Sequence, residues 1–231
     1  MDQTIRQFWR AWPQEYRDCM WEGQNLFEHS CGLFKFFPHK YGSLYDAILS
    51  PYQNAPIQFT EIGVSGGWSM LLWDQYYTHP DARFIGIDPL YDLRREDDDP
   101  ESQKTRDRVS MFESTTSPLF TDRVDVRFND AYTWTTVSTL ENLSQDIIID
   151  DGTHAVEDKL YMIREYWRKV KYGGWMIIED FHASRDVGLL EAVYDTDYRD
   201  IYIYSGHPTH ELFRNFPNAE EGIIAIQKAH P

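Results

Sequence analysis

Two short apolar segments of this chain each end in a pair of carboxylates that is followed within a few residues by a histidine. They are Gln145–His154 (QDIIIDDGTH) and Gly173–His182 (GGWMIIEDFH). Parallel strands buried on both faces read as continuous apolar runs, and open α/β sheets bind their ligands beyond the carboxyl ends of such strands. Two neighbouring strands of this kind would gather four carboxylates and two imidazoles at one edge. Such a cluster repels itself unless a cation or a proton neutralises it.

Strand-like and helix-like segments alternate through most of the chain. The predicted strands are Gln58–Gly63, Arg83–Asp88, Arg123–Asn129, Gln145–Asp150, Trp175–Glu179, Asp200–Tyr204 and Glu221–Gln227. The predicted helices between them are Gly67–Tyr77, a short one near Thr105–Glu113, Ala131–Leu143, 154–171 and one near Ser184–Tyr194. This alternation predicts an α/β fold, with a mostly parallel sheet and helices on both faces. The last two strands have no obvious helix between them, so we expect an antiparallel excursion at the sheet edge.

The helix over 154–171 has the clearest periodicity. Its apolar residues are spaced by four, three, four and three positions, which places them on one face: Val156, Leu160, Ile163, Trp167 and Val170. Gly173 and Gly174 are predicted to end this helix.

The composition excludes several classes of protein. Lys and Arg number 22 and Asp and Glu 38, so the formal charge of −16 disfavours nucleic acid and anionic membranes as partners. There is no apolar run near the length of a membrane span and no signal-peptide pattern at the N-terminus. Two cysteines without a metal-binding pattern favour a reducing compartment. We therefore expect a cytoplasmic protein, and assembly as a homo-oligomer is left open.

The chain divides by composition into two parts. Residues 1–56 are rich in aromatic residues and are predicted to form a helical cap on the substrate side. Residues 57–231 carry the strand and helix alternation and form the predicted ligand-binding domain. Within it, the polar and acidic stretch 92–107 is predicted to be a solvated loop, whose length and charge would also suit a lid.

A glycine-rich turn follows the first predicted strand and precedes a helix. In Glu61–Ser69 (EIGVSGGWS), Gly63 would let a ligand approach the backbone, and the helix N-terminus offers N–H donors. Ser65 stands where the dinucleotide fingerprint has its second glycine. Taken alone, this turn is also explained as a tight connection between strand and helix.

Acidic residues end the second and third predicted strands as well. Asp88 could accept hydrogen bonds from ribose hydroxyls, or it could close a loop or cap a helix. Asp130, followed by Ala131, could reach an adenine amino group or cap the next helix. Acidic strand ends without a phosphate-binding lysine favour a neutral or cationic nucleoside over a polyphosphate.

These motifs resemble those of class I S-adenosylmethionine-dependent methyltransferases. The resemblance is closer to the metal-dependent sugar O-methyltransferases of macrolide biosynthesis, of the mycinamicin and macrocin type. It spans roughly residues 39–182 and rests on Lys40-Tyr41-Gly42 with Tyr45, Glu61–Val64, Trp73, Gly86–Asp88, Asp150–His154 and Gly173–Asp180. Two positions depart from the pattern, since His39 stands where the family usually has Asp and Thr153 replaces Ser.

The resemblance implies a Rossmann-like seven-stranded fold and methyl transfer to a hydroxyl of a sugar or glycosylated small molecule. It implies S-adenosylmethionine and Mg²⁺, or another divalent cation, as cofactors. The cofactor-binding candidates are Glu61, Gly63, Ser65, Asp88, Asp130 and Ala131. The metal-ligand candidates are Asp151 and Asp180, with Glu179 or Asp150 completing or supporting the site.

His154 is the candidate general base, assisted by Asp151, because an unperturbed imidazole titrates close to neutral pH. Tyr41, Tyr45 and His182 are candidates for contact with the substrate. Plainer interpretations stay open at this point: Asp151 or Thr153 could cap the following helix, and His154 could be an ordinary surface residue.

Two rival functions are also kept. One is a class I methyltransferase that works without metal on another small acceptor. The other is a non-catalytic nucleoside-binding module of the same fold, although such a module has no need of Asp151, His154 and Asp180 together.

Overall fold

The computed structural model describes residues 41–64, 67–89, 121–182, 185–205 and 222–231. Seven strands form one sheet in the order β3-β2-β1-β4-β5-β7-β6. Their bounds are β1 Gln58–Ile62, β2 Arg83–Ile87, β3 Val124–Arg127, β4 Gln145–Asp150, β5 Val170–Phe181, β6 Tyr198–Ser205 and β7 Gly222–Lys228. The predicted α/β fold with a seven-stranded sheet is confirmed.

The first five strands are parallel, and the antiparallel excursion lies at the predicted edge. Strand β1 pairs in parallel with both β2 and β4, while β2 pairs with β3 and β4 with β5. Strand β7 runs antiparallel to both β5 and the edge strand β6. The strand order changes direction between β1 and β4, which is where open α/β sheets bind ligands.

Helices cover both faces of this sheet. They are α1 Gly42–Leu49, α2 Trp68–Tyr76, α3 Trp134–Val137, α4 Val156–Tyr161 and α5 Val187–Tyr194. Helices α1 and α2 pack on one face, and α3, α5 and the segment after α4 pack on the other. Strand β4 shows why its sequence is apolar throughout: Ile147 and Ile149 enter the first core, while Ile148 enters the second.

Helix α3 is much shorter than predicted. The sequence indicated a helix over Ala131–Leu143, but only Trp134–Val137 is α-helical. The hydroxyls of Ser138 and Thr139 donate to the carbonyls of Thr135 and Thr136, which offers the backbone an alternative to further helical turns. The run of β-branched threonines lowers helix propensity as well.

The end of the helix predicted over 154–171 was also wrong. Regular α-helix covers Val156–Tyr161, and it continues as a π-helical turn over Met162–Tyr166 and a 3₁₀ turn over Trp167–Lys169. Gly173 and Gly174 do not end it, because they lie inside β5, where a register shift separates the pairs Gln145–Val170 and Ile147–Trp175. Gly173 has a φ of 77°, and a Cβ on Gly174 would meet the Asp146 carbonyl oxygen at 2.8 Å.

The division of the chain at residue 56 stays a prediction. Most of the proposed N-terminal segment lies outside the described residues, as do Ser65, loop 92–107 and the short helix predicted near Thr105–Glu113. The described part, which includes α1, packs into the same core as α2 and the sheet. No helix in the described ranges is both long and apolar enough to cross a membrane.

Candidate active site

Three side chains predicted to act together meet beyond the ends of β4 and β5. One ligand atom from each of Asp151, His154 and Asp180 lies within 4.8 Å of the others. His154 Nε2 is 3.2 Å from Asp180 Oδ2, and the side chains are 41% and 20% exposed. The cluster is therefore partly open, and a ligand can reach it.

A bulge in β5 positions Asp180. Ile178 pairs with Ile224 and Phe181 with Gly222, so β5 has one more residue than β7 between these two pairs. Asp180 itself has a φ of 52°, in the left-handed region that non-glycine residues rarely adopt. Bulges of this kind turn a side chain away from the regular alternation of a strand, and they are frequent next to active sites.

The Asp151 backbone is held against the end of β1. Its amide donates to the Ile62 carbonyl oxygen at 2.9 Å. A Cβ on Gly63 would lie 2.0 Å from the Asp151 carbonyl oxygen, and Gly63 has a φ of 80°. Gly63 is therefore required by this contact, whatever ligand also approaches it. The contact brings the cluster next to the strand that carries the glycine-rich turn.

Two tyrosines of the α1 region contact the carboxylates of β5. The Tyr41 hydroxyl donates to Asp180 Oδ1 at 3.3 Å and to the Gly222 carbonyl oxygen at 3.1 Å. The Tyr45 hydroxyl donates to Glu179 Oε1, and both tyrosine side chains are buried. This location favours a role in positioning the carboxylates. Direct contact of either tyrosine with a substrate stays a prediction.

Asp150 lies beneath the cluster and is paired with a tyrosine. The Tyr132 hydroxyl donates to Asp150 Oδ1 at 2.8 Å, and it fills the space where a Cβ on Gly152 would be. Burial raises the pKa of Asp150 to about 6, although the Tyr132 hydrogen bond acts in the opposite direction. Asp150 is buried, so its location favours a supporting role next to the cluster over direct contact with a ligand.

A buried ion pair lies behind Asp180. Lys159 Nζ donates to the Asp180 carbonyl oxygen and, at 2.8 Å, to Asp186 Oδ2. Asp186 also accepts the His182 amide at 3.0 Å and Arg185 Nε at 3.0 Å. Sequence reasoning missed Lys159, although a cation three residues after Val156 falls on the apolar face of the helix.

The N-cap position of α4 is not held by either residue predicted to cap the helix. The N-cap residue is Ala155, whose side chain makes no capping hydrogen bond. Thr153 Oγ1 instead accepts the Ala155 amide at 3.3 Å and donates to Asp158. Neither Asp151 nor Thr153 is therefore the N-cap residue of α4.

The cofactor-binding candidates lie at the ends of β1, β2 and β3. Glu61 is buried and accepts a hydrogen bond from Trp73 Nε1 at 2.8 Å, so its carboxylate holds helix α2 against β1.

The candidates at the ends of β2 and β3 make hydrogen bonds that involve the backbone. The Asp88 amide donates to the Arg127 carbonyl oxygen at 3.1 Å. Asp130 Oδ1 accepts the Tyr132 amide at 2.9 Å, while the cap of α3 is Thr133. The Ala131 carbonyl oxygen accepts the Tyr166 hydroxyl at 2.7 Å.

Comparison with known proteins identifies the family. The model of a family described as a methyltransferase domain matches residues 60–181, which is more than half of the chain. The chain belongs to this methyltransferase family. The matched range runs from β1 to the end of β5, so it contains Asp151, His154 and Asp180.

One curated relative is a 3'-O-methyltransferase of Streptomyces olivaceus that acts on 8-demethyl-8-(2-methoxy-alpha-L-rhamnosyl)-tetracenomycin-C. It is 24% identical over 154 residues, which cover 63% of this chain and 33% of the relative. This chain therefore corresponds to about a third of that protein's length.

Solved structures confirm the class I S-adenosylmethionine-dependent methyltransferase fold. The methyltransferase MycE of the mycinamycin biosynthetic pathway, in complex with Mg and SAH, has a TM-score of 0.57 at 18% identity over 84% of this chain and 51% of its own. An S-adenosylmethionine-dependent O-methyltransferase of Thermotoga maritima has a TM-score of 0.55 at 14% identity, over 95% of this chain and 72% of its own.

The cluster fits a divalent cation. In octahedral Mg²⁺ sites the ligand atoms lie about 2 Å from the ion, so neighbouring ligands are about 3 Å apart and opposite ones about 4 Å. A carboxylate oxygen of Asp151 and one of Asp180 lie within 4.8 Å of each other, so small side-chain adjustments would let both bind one ion. Carboxylates are hard oxygen ligands of the type that Mg²⁺ prefers, while an imidazole also suits Mn²⁺ or other transition metals.

Proposed function

We propose that the protein is an S-adenosylmethionine-dependent O-methyltransferase, assisted by a divalent metal, that acts on a hydroxyl of a sugar or glycosylated small molecule. The observation that carries this proposal is the cluster of Asp151, His154 and Asp180. It lies beside the end of β1, where the strand order changes direction, in a chain of the methyltransferase family.

The relatives support the class of acceptor. The Streptomyces olivaceus protein methylates a rhamnosylated tetracenomycin. MycE has been solved with Mg, SAH and mycinamycin VI together. Because this chain spans only part of either protein, its own acceptor must be found by experiment.

The two cofactors supply the groups that the chain lacks. S-adenosylmethionine would supply the methyl group for the acceptor oxygen, and its sulfur would leave as a neutral thioether. A divalent cation held by Asp151 and Asp180 would orient the acceptor hydroxyl and lower its pKa.

The protein residues then have separable roles. His154 Nε2 lies 3.2 Å from Asp180 Oδ2, so Nδ1, the other ring nitrogen, would accept the proton of the acceptor hydroxyl while Asp180 stabilises the imidazolium that results. Asp151 and Asp180 orient the acceptor, with Glu179 as a further candidate metal ligand.

Binding of the nucleoside is assigned to residues at the ends of the first three strands: Glu61, Gly63, Asp88, Asp130 and Ala131. His182 is proposed to contact the substrate. Most of the rate gain would come from positioning.

Calorimetric titration with S-adenosylhomocysteine and Mn²⁺ tests the binding part of this proposal. We expect wild-type protein to bind both, and Asp180→Asn to bind the nucleoside normally while its Mn²⁺ affinity falls at least about 10-fold. Asp200→Asn is the matched control, since Asp200 lies on the edge strand β6. If the wild-type protein does not bind S-adenosylhomocysteine, the enzymatic function is rejected.

A screen of glycosylated acceptors for a mass gain of one methyl group tests the reaction. We expect product with Mg²⁺ and none with a chelator. A metal-independent methyltransferase is the second candidate, and the 3.2 Å contact between His154 and Asp180 favours it, because a histidine oriented by a carboxylate can act unaided. Methyl transfer that continues unchanged in chelator would select that candidate.

A further inference from the structure

We propose that Lys159 and Asp186 are positioning residues that hold Asp180 and His154 in the geometry needed to bind the metal. This inference rests on the proposed function and deepens it. Both residues lie in described segments after β4 and β5, and neither offers an atom to the cluster itself.

Lys159 is an unusual residue for its position. Its side chain is 2% exposed, and that of Asp186 is fully buried. Burying two charges is costly unless they are paired and hydrogen-bonded, and pairs of this kind add little stability compared with apolar residues of the same size. The pair therefore has a role beyond stability.

The contacts of the pair point to the cluster. Lys159 Nζ donates to the carbonyl oxygen of Asp180, whose left-handed backbone must be held by its surroundings. Asp186 accepts the His182 amide, which fixes the chain two residues after Asp180. The pair thus contacts the backbone of the β5 bulge at Asp180 and just after it, at His182.

Arg185 extends the network to the other strained residue. Its Nε donates to Asp186 Oδ1 at 3.0 Å, and its Nη2 donates to the His154 carbonyl oxygen at 3.2 Å. His154 has a φ of 59°. One buried carboxylate therefore links, through Lys159 and Arg185, the backbones of two members of the cluster, one in the bulge of β5 and the other in the loop after β4.

The charges of the pair suit a cation site. A lone ammonium group behind Asp180 would oppose the binding of a divalent cation, but Asp186 at 2.8 Å cancels that charge. Lys159 can therefore donate a hydrogen bond to the Asp180 backbone from within a neutral buried pair. Arg185 also contacts Asp186, but its side chain is 49% exposed, so solvent screens its charge. Partners of metal ligands outside the coordination sphere commonly change metal affinity by about 10- to 100-fold.

Lys228 provides a matched control. It is also a buried lysine, and its Nζ donates to a backbone carbonyl oxygen, that of Trp167, at 2.9 Å. It lies at the far end of β7, whereas Gly222 at the near end pairs with Phe181 beside the cluster. Lys228→Met should therefore lose stability without an effect on metal binding.

The test compares Mn²⁺ affinity, S-adenosylhomocysteine affinity and thermal stability in wild type, Lys159→Met, Asp186→Asn and Lys228→Met. We expect Lys159→Met and Asp186→Asn each to weaken Mn²⁺ binding at least about 10-fold while nucleoside affinity changes less than about 2-fold. Lys228→Met should bind Mn²⁺ as wild type does. Asp186→Asn keeps the shape of the side chain, so it carries the test if Lys159→Met does not fold.

The outcomes separate this inference from the proposed function. Normal Mn²⁺ affinity in Asp186→Asn, with wild-type binding intact, would overturn the inference and leave the proposed function standing. An equal loss of Mn²⁺ affinity in Lys228→Met would also overturn it, since the effect would then follow general destabilisation. A wild-type protein that binds the nucleoside but no Mn²⁺ would overturn the metal-assisted function together with this inference.

Discussion

At the residue scale, the site is built from backbone conformations that most residues avoid. His154 and Asp180 have positive φ values, as does Gly63, which contacts the Asp151 backbone. Such conformations cost about 1–3 kcal/mol each for non-glycine residues and persist only where the surroundings hold them. They occur here at two of the three cluster residues, which supports a functional reason for the strain.

Replacement of Gly63 by alanine should be strongly destabilising. The new Cβ would lie 2.0 Å from the Asp151 carbonyl oxygen and would impose a φ of 80° on a non-glycine residue. We expect a loss of about 2 kcal/mol or more in the free energy of unfolding, measured by urea denaturation. Gly188→Ala in α5 is the control, because nothing lies within 4 Å of its Cβ, and it should not destabilise. Equal stability of the two variants would contradict this account of Gly63.

Replacement of His154 by glutamine tests its role as general base. We expect kcat to fall by about 10²- to 10⁴-fold while the affinity for S-adenosylhomocysteine is unchanged, because only proton transfer is removed. His79→Gln is the control, since that histidine contacts Asp81 after α2. A kcat within a few-fold of wild type would show that another group accepts the proton.

At the scale of elements, strands β4 and β5 could be predicted because burial on both faces leaves a plain signature. The three isoleucines of β4 (QDIIID) are buried on both faces of the sheet, which is why the strand reads as an apolar run. The carboxylates at its end were therefore expected at the edge of the sheet. The bulge that turns Asp180 and the π-helical turn after α4 could not be predicted, since both depend on packing between segments distant in sequence. The sequence does show Lys159 as a charged residue on the apolar face of a helix. It does not show that Asp186 is its partner.

The contact between α1 and β5 gives a prediction about stability. Tyr45 donates its hydroxyl to the buried Glu179, so Tyr45→Phe removes a hydrogen bond to a buried carboxylate. We expect a loss of about 1–3 kcal/mol in the free energy of unfolding, measured by chemical denaturation. Tyr194→Phe, at an exposed ring of α5, should change it by less than about 0.5 kcal/mol. A Tyr45→Phe variant as stable as wild type would show that α1 does not brace Glu179.

At the scale of the whole molecule, the candidate catalytic and metal-binding residues lie together at one edge of the sheet. Four of the 38 acidic residues of the chain lie at or just after the ends of β4 and β5: Asp150, Asp151, Glu179 and Asp180. The order of the strands explains this, because β1, β4 and β5 are neighbours and their carboxyl ends meet. The family resemblance predicted the fold and the meeting of Asp151, His154 and Asp180, while the network behind them required the structure.

The stability of the molecule should depend on pH through Asp186. Burial alone would raise the pKa of Asp186, but hydrogen bonds from Lys159, Arg185 and the His182 amide outweigh it and hold that pKa below its ordinary value. A carboxyl whose pKa is lower in the folded state stabilises above its unfolded pKa of about 3.9, and this contribution is lost as the pH falls through the folded value.

Asp186→Asn should therefore be less stable than wild type at pH 7, and the deficit should shrink below about pH 4. Denaturant titrations at several pH values measure it, with Asp200→Asn as the control, since the Asp200 side chain is 45% exposed. A deficit that is the same at acidic and neutral pH would show that the charge of Asp186 is not what stabilises the fold.

The most direct test of the central claim is a crystal structure with S-adenosylhomocysteine and Mn²⁺, with anomalous diffraction recorded at the manganese edge. The account predicts one strong anomalous peak within about 2.0–2.4 Å of carboxylate oxygens of Asp151 and Asp180, with the nucleoside beyond the end of β1. A bound nucleoside with no manganese at these carboxylates, at a saturating Mn²⁺ concentration, would contradict it.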